Sequence, residues 1–202
     1  MIVCTLVYPD IVFYLDTGAR NSVTPQLVLL DRDGVINVDS PDYIKSPEEW
    51  HPISGAMQAI VQLQRHVTVA VCTNQSGVGR GLFDEDTLAA IHQKLNDTLI
   101  ASGGRPLDVF YCPHHPDDGC PCRKPQPGLL ECAMQAYGIA PDATVYAGDS
   151  AKDLQAAANA GCHSALILTG NGNATATTRA ASLAAWTCDS LSDLPAALDA
   201  PN

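Results

Sequence analysis

Positive charge is scarce in this chain: 11 lysines and arginines stand against 22 aspartates and glutamates, a formal net charge of −11. A nucleic acid or an anionic membrane surface needs a basic face, so the composition argues against both as partners. A long apolar run is missing too. Residues 1–14 are apolar, but Pro9 and Asp10 interrupt them and no basic residue precedes them. Neither a secretory signal nor a transmembrane helix of roughly 18 apolar residues fits that pattern. Residues 1–23 therefore read as an N-terminal appendage, with a start placed too early or a docked edge strand as its explanation, and residues 24–202 as a single domain. The eight cysteines are not a disulfide framework, because a chain of 202 residues rich in aliphatics does not need one. Cys4, Cys72, Cys132, Cys162 and Cys188 stand apart as small hydrophobes, and the usage fits a reducing cytoplasm.

From residue 26 the pattern alternates between strand and helix. Residues 26–30, 67–72, 109–112, 144–147 and 164–168 are β-branched or apolar runs of strand length, and 185–187 would add a short edge strand. Between them, residues 55–64, 84–99, 127–137, 151–159 and about 192–198 carry helical patterns. In the second of these, Asp84 or Asp86 is available as N-cap and Leu88, Ile91, Leu95 and Leu99 form one stripe. Buried strands alternating with helices predict an α/β fold, a central, mostly parallel sheet with helices on both faces. In such sheets the chemistry gathers at the carboxyl ends of the strands. Residues 170–182, rich in alanine and threonine, read as loop then helix without a functional signal.

Four strand ends carry polar clusters. The first is Asp31-Arg32-Asp33-Gly34-Val35-Ile36-Asn37, where two carboxylates on one loop can divide nucleophilic or metal-binding work from proton transfer. The second, Thr73-Asn74-Gln75-Ser76-Gly77, offers a hydroxyl and small residues to a phosphoryl group, without the Gly-Lys-Ser/Thr of a Walker loop. The third, Arg123-Lys124, places two cations together in an acidic protein. The fourth is Gly148-Asp149-Ser150-Ala151-Lys152-Asp153. There Asp149 can ligate a hard cation, and Asp153, one turn later, can orient Lys124 or a metal-bound water. Each has a plainer reading: an Asp-Gly turn, a solvated loop, a surface charge pair, a helix N-cap. All four plain readings holding at successive strand ends is a poor account of the order.

That order and spacing, across residues 27–169, resembles the haloacid dehalogenase (HAD) superfamily of phosphotransferases. The resemblance implies a Rossmann-like HAD fold with Asp31 as nucleophile and Asp33 as acid, then base. Thr73 and Lys124 would bind phosphoryl oxygens, and Asp31, the Asp33 carbonyl and Asp149 would hold Mg²⁺. Acting first as an acid, Asp33 should have its pKa tuned upward. The short intervals from Asp33 to Thr73 and from Thr73 to Lys124 leave no room for a large cap domain. Loops would therefore set selectivity, with Asp39, Tyr43, Asn74, Gln75, Ser76 and Arg123 as candidate substrate contacts.

Cys112-Pro113-His114-His115-Pro116-Asp117-Asp118-Gly119-Cys120-Pro121-Cys122 supplies three thiolates and an imidazole in a loop too short for a core. Zn²⁺ held by Cys112, His114, Cys120 and Cys122 would be structural, since four protein ligands leave no open position; His115 is the alternative to His114. The full motif set, with Thr-Asn-Gln-Ser-Gly and Cys-Arg-Lys-Pro, resembles the D-glycero-D-manno-heptose 1,7-bisphosphate 7-phosphatase family. Its sister, histidinol-phosphate phosphatase, more often reads Thr-Asn-Gln-Asp-Gly. The resemblance implies a Mg-dependent phosphomonoester hydrolase acting on a small phosphorylated metabolite, a sugar bisphosphate, in lipopolysaccharide-core biosynthesis. A cytoplasmic monomer is expected. A catalytically silent, zinc-stabilised scaffold is the reading of another class. His51, His66, His92 and His163 lie apart from the motifs and read as core or surface residues.

Overall fold

The computed structural model describes residues 2–3 and 25–199. Seven strands form one sheet: β1 (Ile2–Val3), β2 (Leu27–Leu30), β3 (Thr68–Asn74), β4 (Val109–Cys112), β5 (Thr144–Gly148), β6 (His163–Ile167) and β7 (Trp186–Cys188). Their order is β1-β4-β3-β2-β5-β6-β7, and every neighbouring pair is parallel. Ile2–Val3 pairs with Phe110–Tyr111 at the edge. The rest of the expected appendage, residues 1 and 4–23, lies outside the described residues.

Alternation along β2 sorts the protein into two cores. Val28 and Leu30 face α1 (Ala56–Leu63), α3 (Glu85–Ala101) and α7 (Leu194–Asp199), through Ile60, Ile91, Leu95 and Leu194. Leu27 and Leu29 face α4 (Gly128–Tyr137) and α5 (Ala151–Ala160), through Leu129, Leu130, Ala156 and Ala157. A strand covered on both sides has no polar position to offer until it ends, so β2 is apolar from Leu27 to Leu30 and the first carboxylate falls at Asp31.

Local signals start and stop the helices. Asp84 Oδ1 accepts from Thr87 N at 2.8 Å to open α3. Gly138 and Gly161 take left-handed conformations to close α4 and α5. The strand expected at 67–72 runs two residues further, because Thr73 and Asn74 still pair with Tyr111 and Cys112 of β4. The segment 34–67 holds loops, a 3-10 turn at Pro47–Glu49 and α1; the segment 74–123 holds α2 (Ser76–Gly79), α3, β4 and the cysteine loop. No cap domain is inserted in either, so the carboxyl edge of the sheet stays open. Among the described residues no helix is long and apolar enough to cross a membrane, and every cysteine is free.

Candidate active site

A cleft of about 250 Å³ opens at that edge, and it is lined by all twelve residues expected there outside the cysteine loop. Asp31 continues the ladder by donating its N–H to Ala147 O at 2.9 Å, which fixes its side chain beside β5. Lys124 is the hub. Its Nζ lies 2.9 Å from Asp31 Oδ1 and 2.7 Å from Asp153 Oδ1, and donates to Tyr146 Oη at 2.5 Å and Cys72 O at 3.2 Å. Burial opposes the charge on Lys124, but Asp153 and Asp31 outweigh it and keep the ammonium protonated more firmly than in water. Asp153 also accepts through Oδ2 from Ser150 N and Oγ, at 3.0 and 2.6 Å, so one carboxylate caps α5 and aims the lysine. A Cβ on Gly148 would sit 2.3 Å from Asp153 Cβ, so only glycine fits that step.

Asp31, Asp149 and Asp153 bring oxygens within 4.8 Å of one another. Burial pushes the Asp31 carboxyl well above the ordinary carboxylate range despite Lys124, with Asp153 and Asp149 adding to the push. Burial likewise lifts Asp149 to about 6. Three carboxylates facing a single ammonium leave the cluster two positive charges short of neutrality when all are ionised. A hard divalent cation with oxygen ligands answers both the charge and the donor set, so the residues present fit Mg²⁺.

The loop after β6, which gives no functional signal in the sequence, contributes directly. Asn171 donates its backbone N–H and its Nδ2 to Asp149 Oδ2, at 2.7 and 3.1 Å. Both donors fall on one oxygen, leaving Oδ1 for a cation. Gly34, at φ +83°, packs so tightly here that a Cβ would lie 2.3 Å from Asp149 Oδ2. Asp149 is not the N-cap of α5; Ser150 is.

Asp33 departs from expectation. Burial would raise its pKa, but the charge of Arg32 and hydrogen bonds from Arg32, Asn37 and Gln75 together hold it below the ordinary carboxylate value. Arg32 grips it as a fork, Nε to Oδ1 at 3.0 Å and Nη2 to Oδ2 at 2.9 Å. Asn37 Nδ2 adds a donor to Oδ1 and Gln75 Nε2 one to Oδ2, both at 2.9 Å. The resting group is therefore an ionised carboxylate, not the neutral acid the sequence reading calls for. Arg32 has no motif signal of its own beyond lying between two acids, and it is fully buried.

Asn74 and Gln75 line the cleft, but their amides hold protein groups. Asn74 pairs reciprocally with the Lys124 backbone at 3.1 Å in both directions, and Gln75 also donates to Thr73 Oγ1 at 2.9 Å. Ser76 opens α2, and Tyr43 sits at the rim in a left-handed conformation, φ +66°. Asp39 is exposed and accepts from Ser40 N at 2.8 Å. Arg123 is half-buried, with Nη1 enclosed and without a hydrogen-bond partner, while Ser40, Ile44 and Lys152 also join the lining.

Cys112, His114, Cys120 and Cys122 converge immediately before Arg123. Cys112 Sγ lies 3.5 Å from His114 Nδ1 and 3.6 Å from Cys120 Sγ; Cys122 Sγ lies 3.3 and 3.6 Å from the same two atoms. Zinc–sulfur bonds of about 2.3 Å imply tetrahedral edges of about 3.8 Å, close to these separations, so the donor set fits Zn²⁺. His115 instead accepts from Asp117 N at 3.3 Å, outside the cluster.

Fold and site together define a HAD-type phosphatase. A family model described as HAD-hydrolase-like matches residues 121–194. The chain is 50% identical over 151 residues to the D-glycero-β-D-manno-heptose-1,7-bisphosphate 7-phosphatase of Bordetella bronchiseptica, covering 74% of this chain and 84% of that protein. It is 48% identical over 147 residues to the protein of the same name from Pseudomonas aeruginosa, covering 72% and 83%. This chain belongs to the D-glycero-β-D-manno-heptose-1,7-bisphosphate 7-phosphatase family. The crystal structure of the B. bronchiseptica D,D-heptose 1,7-bisphosphate phosphatase, complexed with magnesium and phosphate, superposes with a TM-score of 0.82 at 46% identity, over 86% of this chain and 97% of that one.

Proposed function

We propose that this protein removes the C7 phosphate of D-glycero-β-D-manno-heptose 1,7-bisphosphate through a phosphorylated Asp31, as a cytoplasmic monomer. The observation that carries the reading is Lys124 Nζ held at 2.9 Å from Asp31 and 2.7 Å from Asp153, at the open edge of the sheet. Phosphate monoesters resist hydrolysis because an anionic nucleophile must approach an anionic group, so catalysis is largely charge masking and positioning. Lys124 supplies one fixed positive charge for the phosphoryl oxygens, and Thr73 a hydroxyl. Mg²⁺, held by Asp31, Asp149 and the Asp33 carbonyl, would supply the remaining neutralisation. Asp33 gives a proton to the leaving alcohol and then takes one from the attacking water. Because its resting form is ionised, the acid form has to arise with the bound substrate, whose negative charge favours proton uptake.

Arg123, which lines the cleft and has one guanidinium nitrogen without a hydrogen-bond partner, suits the second phosphate of a bisphosphate, with Asp39, Tyr43 and Ser76 completing the substrate rim. Zn²⁺ at the four-residue cluster would be structural, fixing the direction of Arg123 and Lys124. The test compares phosphate release from the α and β anomers of the heptose bisphosphate and from histidinol phosphate, with Asp31→Asn as the blank. The β anomer should give the highest kcat/KM and the asparagine variant none. Equal kcat/KM on all three would overturn the heptose assignment, and an active asparagine variant the mechanism; no turnover of any would favour a silent scaffold.

A further inference from the structure

Arg32 is fully buried one residue from the nucleophile, and the proposed chemistry leaves it without a task. Four of its N–H groups are committed: two to Asp33, one to Gln75 Oε1 at 3.0 Å and one to His92 Nε2 at 3.2 Å. A guanidinium can only donate, so His92 Nε2 accepts and its proton sits on Nδ1, which is buried without a partner. His92 stands on the inner face of α3, against the Tyr111 ring at 5.9 Å. A continuous contact thus runs from the helical layer through His92 and Arg32 to the carboxylate that handles the protons. Burying an arginine is costly, and an apolar residue would fill the space more cheaply if packing were the only requirement. What the fork adds is a fixed carboxylate plane, which a lysine's point charge cannot impose.

We propose that Arg32, braced by His92, is a positioning residue that sets the orientation of Asp33 for proton transfer in both halves of the reaction. The inference rests on the aspartyl-phosphate reading above. In the first half, Asp31 forms a bond to phosphorus as the bond to the leaving oxygen breaks; that oxygen keeps the electron pair and takes the proton of Asp33. In the second, a water attacks phosphorus while giving a proton to the Asp33 carboxylate, and the Asp31–phosphorus bond breaks to restore the Asp31 carboxylate. An aryl leaving group needs no proton to depart, so it exempts the first half from dependence on Asp33 but not the second.

Stopped-flow hydrolysis of p-nitrophenyl phosphate, beside steady-state turnover of an alkyl phosphate, separates positioning from scaffolding. Arg32→Lys should release close to one equivalent of nitrophenol per site in a rapid burst. Its steady state should then be about 10²-fold slower than the parent's, with alkyl phosphate turnover reduced at least as much. A burst that shrinks with the folded fraction while the remaining sites turn over at the parent rate would overturn the proposal. So would parent-like rates on both substrates. His92→Phe keeps the ring volume, removes the acceptor and carries the same test if the lysine variant does not fold. It should show the burst with a steady state about tenfold slower, and a parent-like rate would overturn the bracing. Turnover by Asp31→Asn, run alongside, would instead sink the aspartyl-phosphate reading on which the inference rests.

Discussion

At the residue scale the site is an exercise in charge placement. Lys124 has two carboxylate neighbours that keep it charged, Asp33 has an arginine fork that keeps it ionised, and Asp149 has a carboxyl lifted to about 6 with only Asn171 donating to it. The last of these makes the Asn171 side chain a lever on cation affinity. Removing one donor from Asp149 Oδ2 frees the carboxylate to rotate away from the geometry a cation requires. Asn171→Ala should weaken Mg²⁺ binding about tenfold, read as heat by titration calorimetry without substrate, while melting stays close to the parent's. Unchanged affinity would show that the backbone N–H at 2.7 Å suffices alone.

At the scale of elements, the cysteine loop has little packing of its own between its buried ends, Cys112 and Cys122. Its 3-10 turn at Pro116–Asp118 contains no buried residue and is held by its own capping hydrogen bonds between His115, Asp117 and Asp118 and by the convergence of the four Cys and His side chains. It ends at Cys122, covalently joined to Arg123-Lys124. Stripping metal with a chelator, or Cys120→Ser, should therefore lower the melting temperature by several degrees. KM should rise more than kcat falls, because the cations are misplaced rather than lost. Calorimetry and steady-state kinetics on the stripped protein check this, with zinc readdition as the control. Unchanged stability after verified zinc removal would show that the loop holds itself.

For the whole molecule, stability must depend on acidity through groups that titrate differently when folded. His92 is the clearest. Burial pushes its pKa down to about 3, with the neighbouring Arg32 charge adding to the shift and Asp33 opposing it. The unfolded chain takes up that proton below about pH 6.5, whereas the folded protein does not until about pH 3, so this contribution to stability is lost as pH falls through that window. The loss is at most about 1.4 kcal/mol per pH unit. His92→Phe, whatever its starting stability, should lose less than the parent between pH 6.5 and 4 in urea titrations. Parallel curves would mean that the ring accepts its proton in place.

The sequence by itself determined the sheet, the order of its helices and the gathering of acids and cations at one edge. Those features are local: a run of Leu and Val long enough to be buried on both faces, an Asp84 at a helix start, a Gly161 at an end. Thr73 through Lys124 could be placed together because strand ends in a parallel sheet share an edge. Only the tertiary structure decided how the side chains face one another once there. Arg32 turns inward to Asp33 and His92, 60 residues away in the chain. Asn74 holds the Lys124 backbone, Gln75 holds Asp33 and Thr73, and Asn171 reaches Asp149 from a loop with no motif of its own. Hydrogen-bond geometry and the sign of a pKa shift depend on every charge within a few ångströms, most of them contributed by segments distant in sequence, and no one-dimensional pattern encodes those distances.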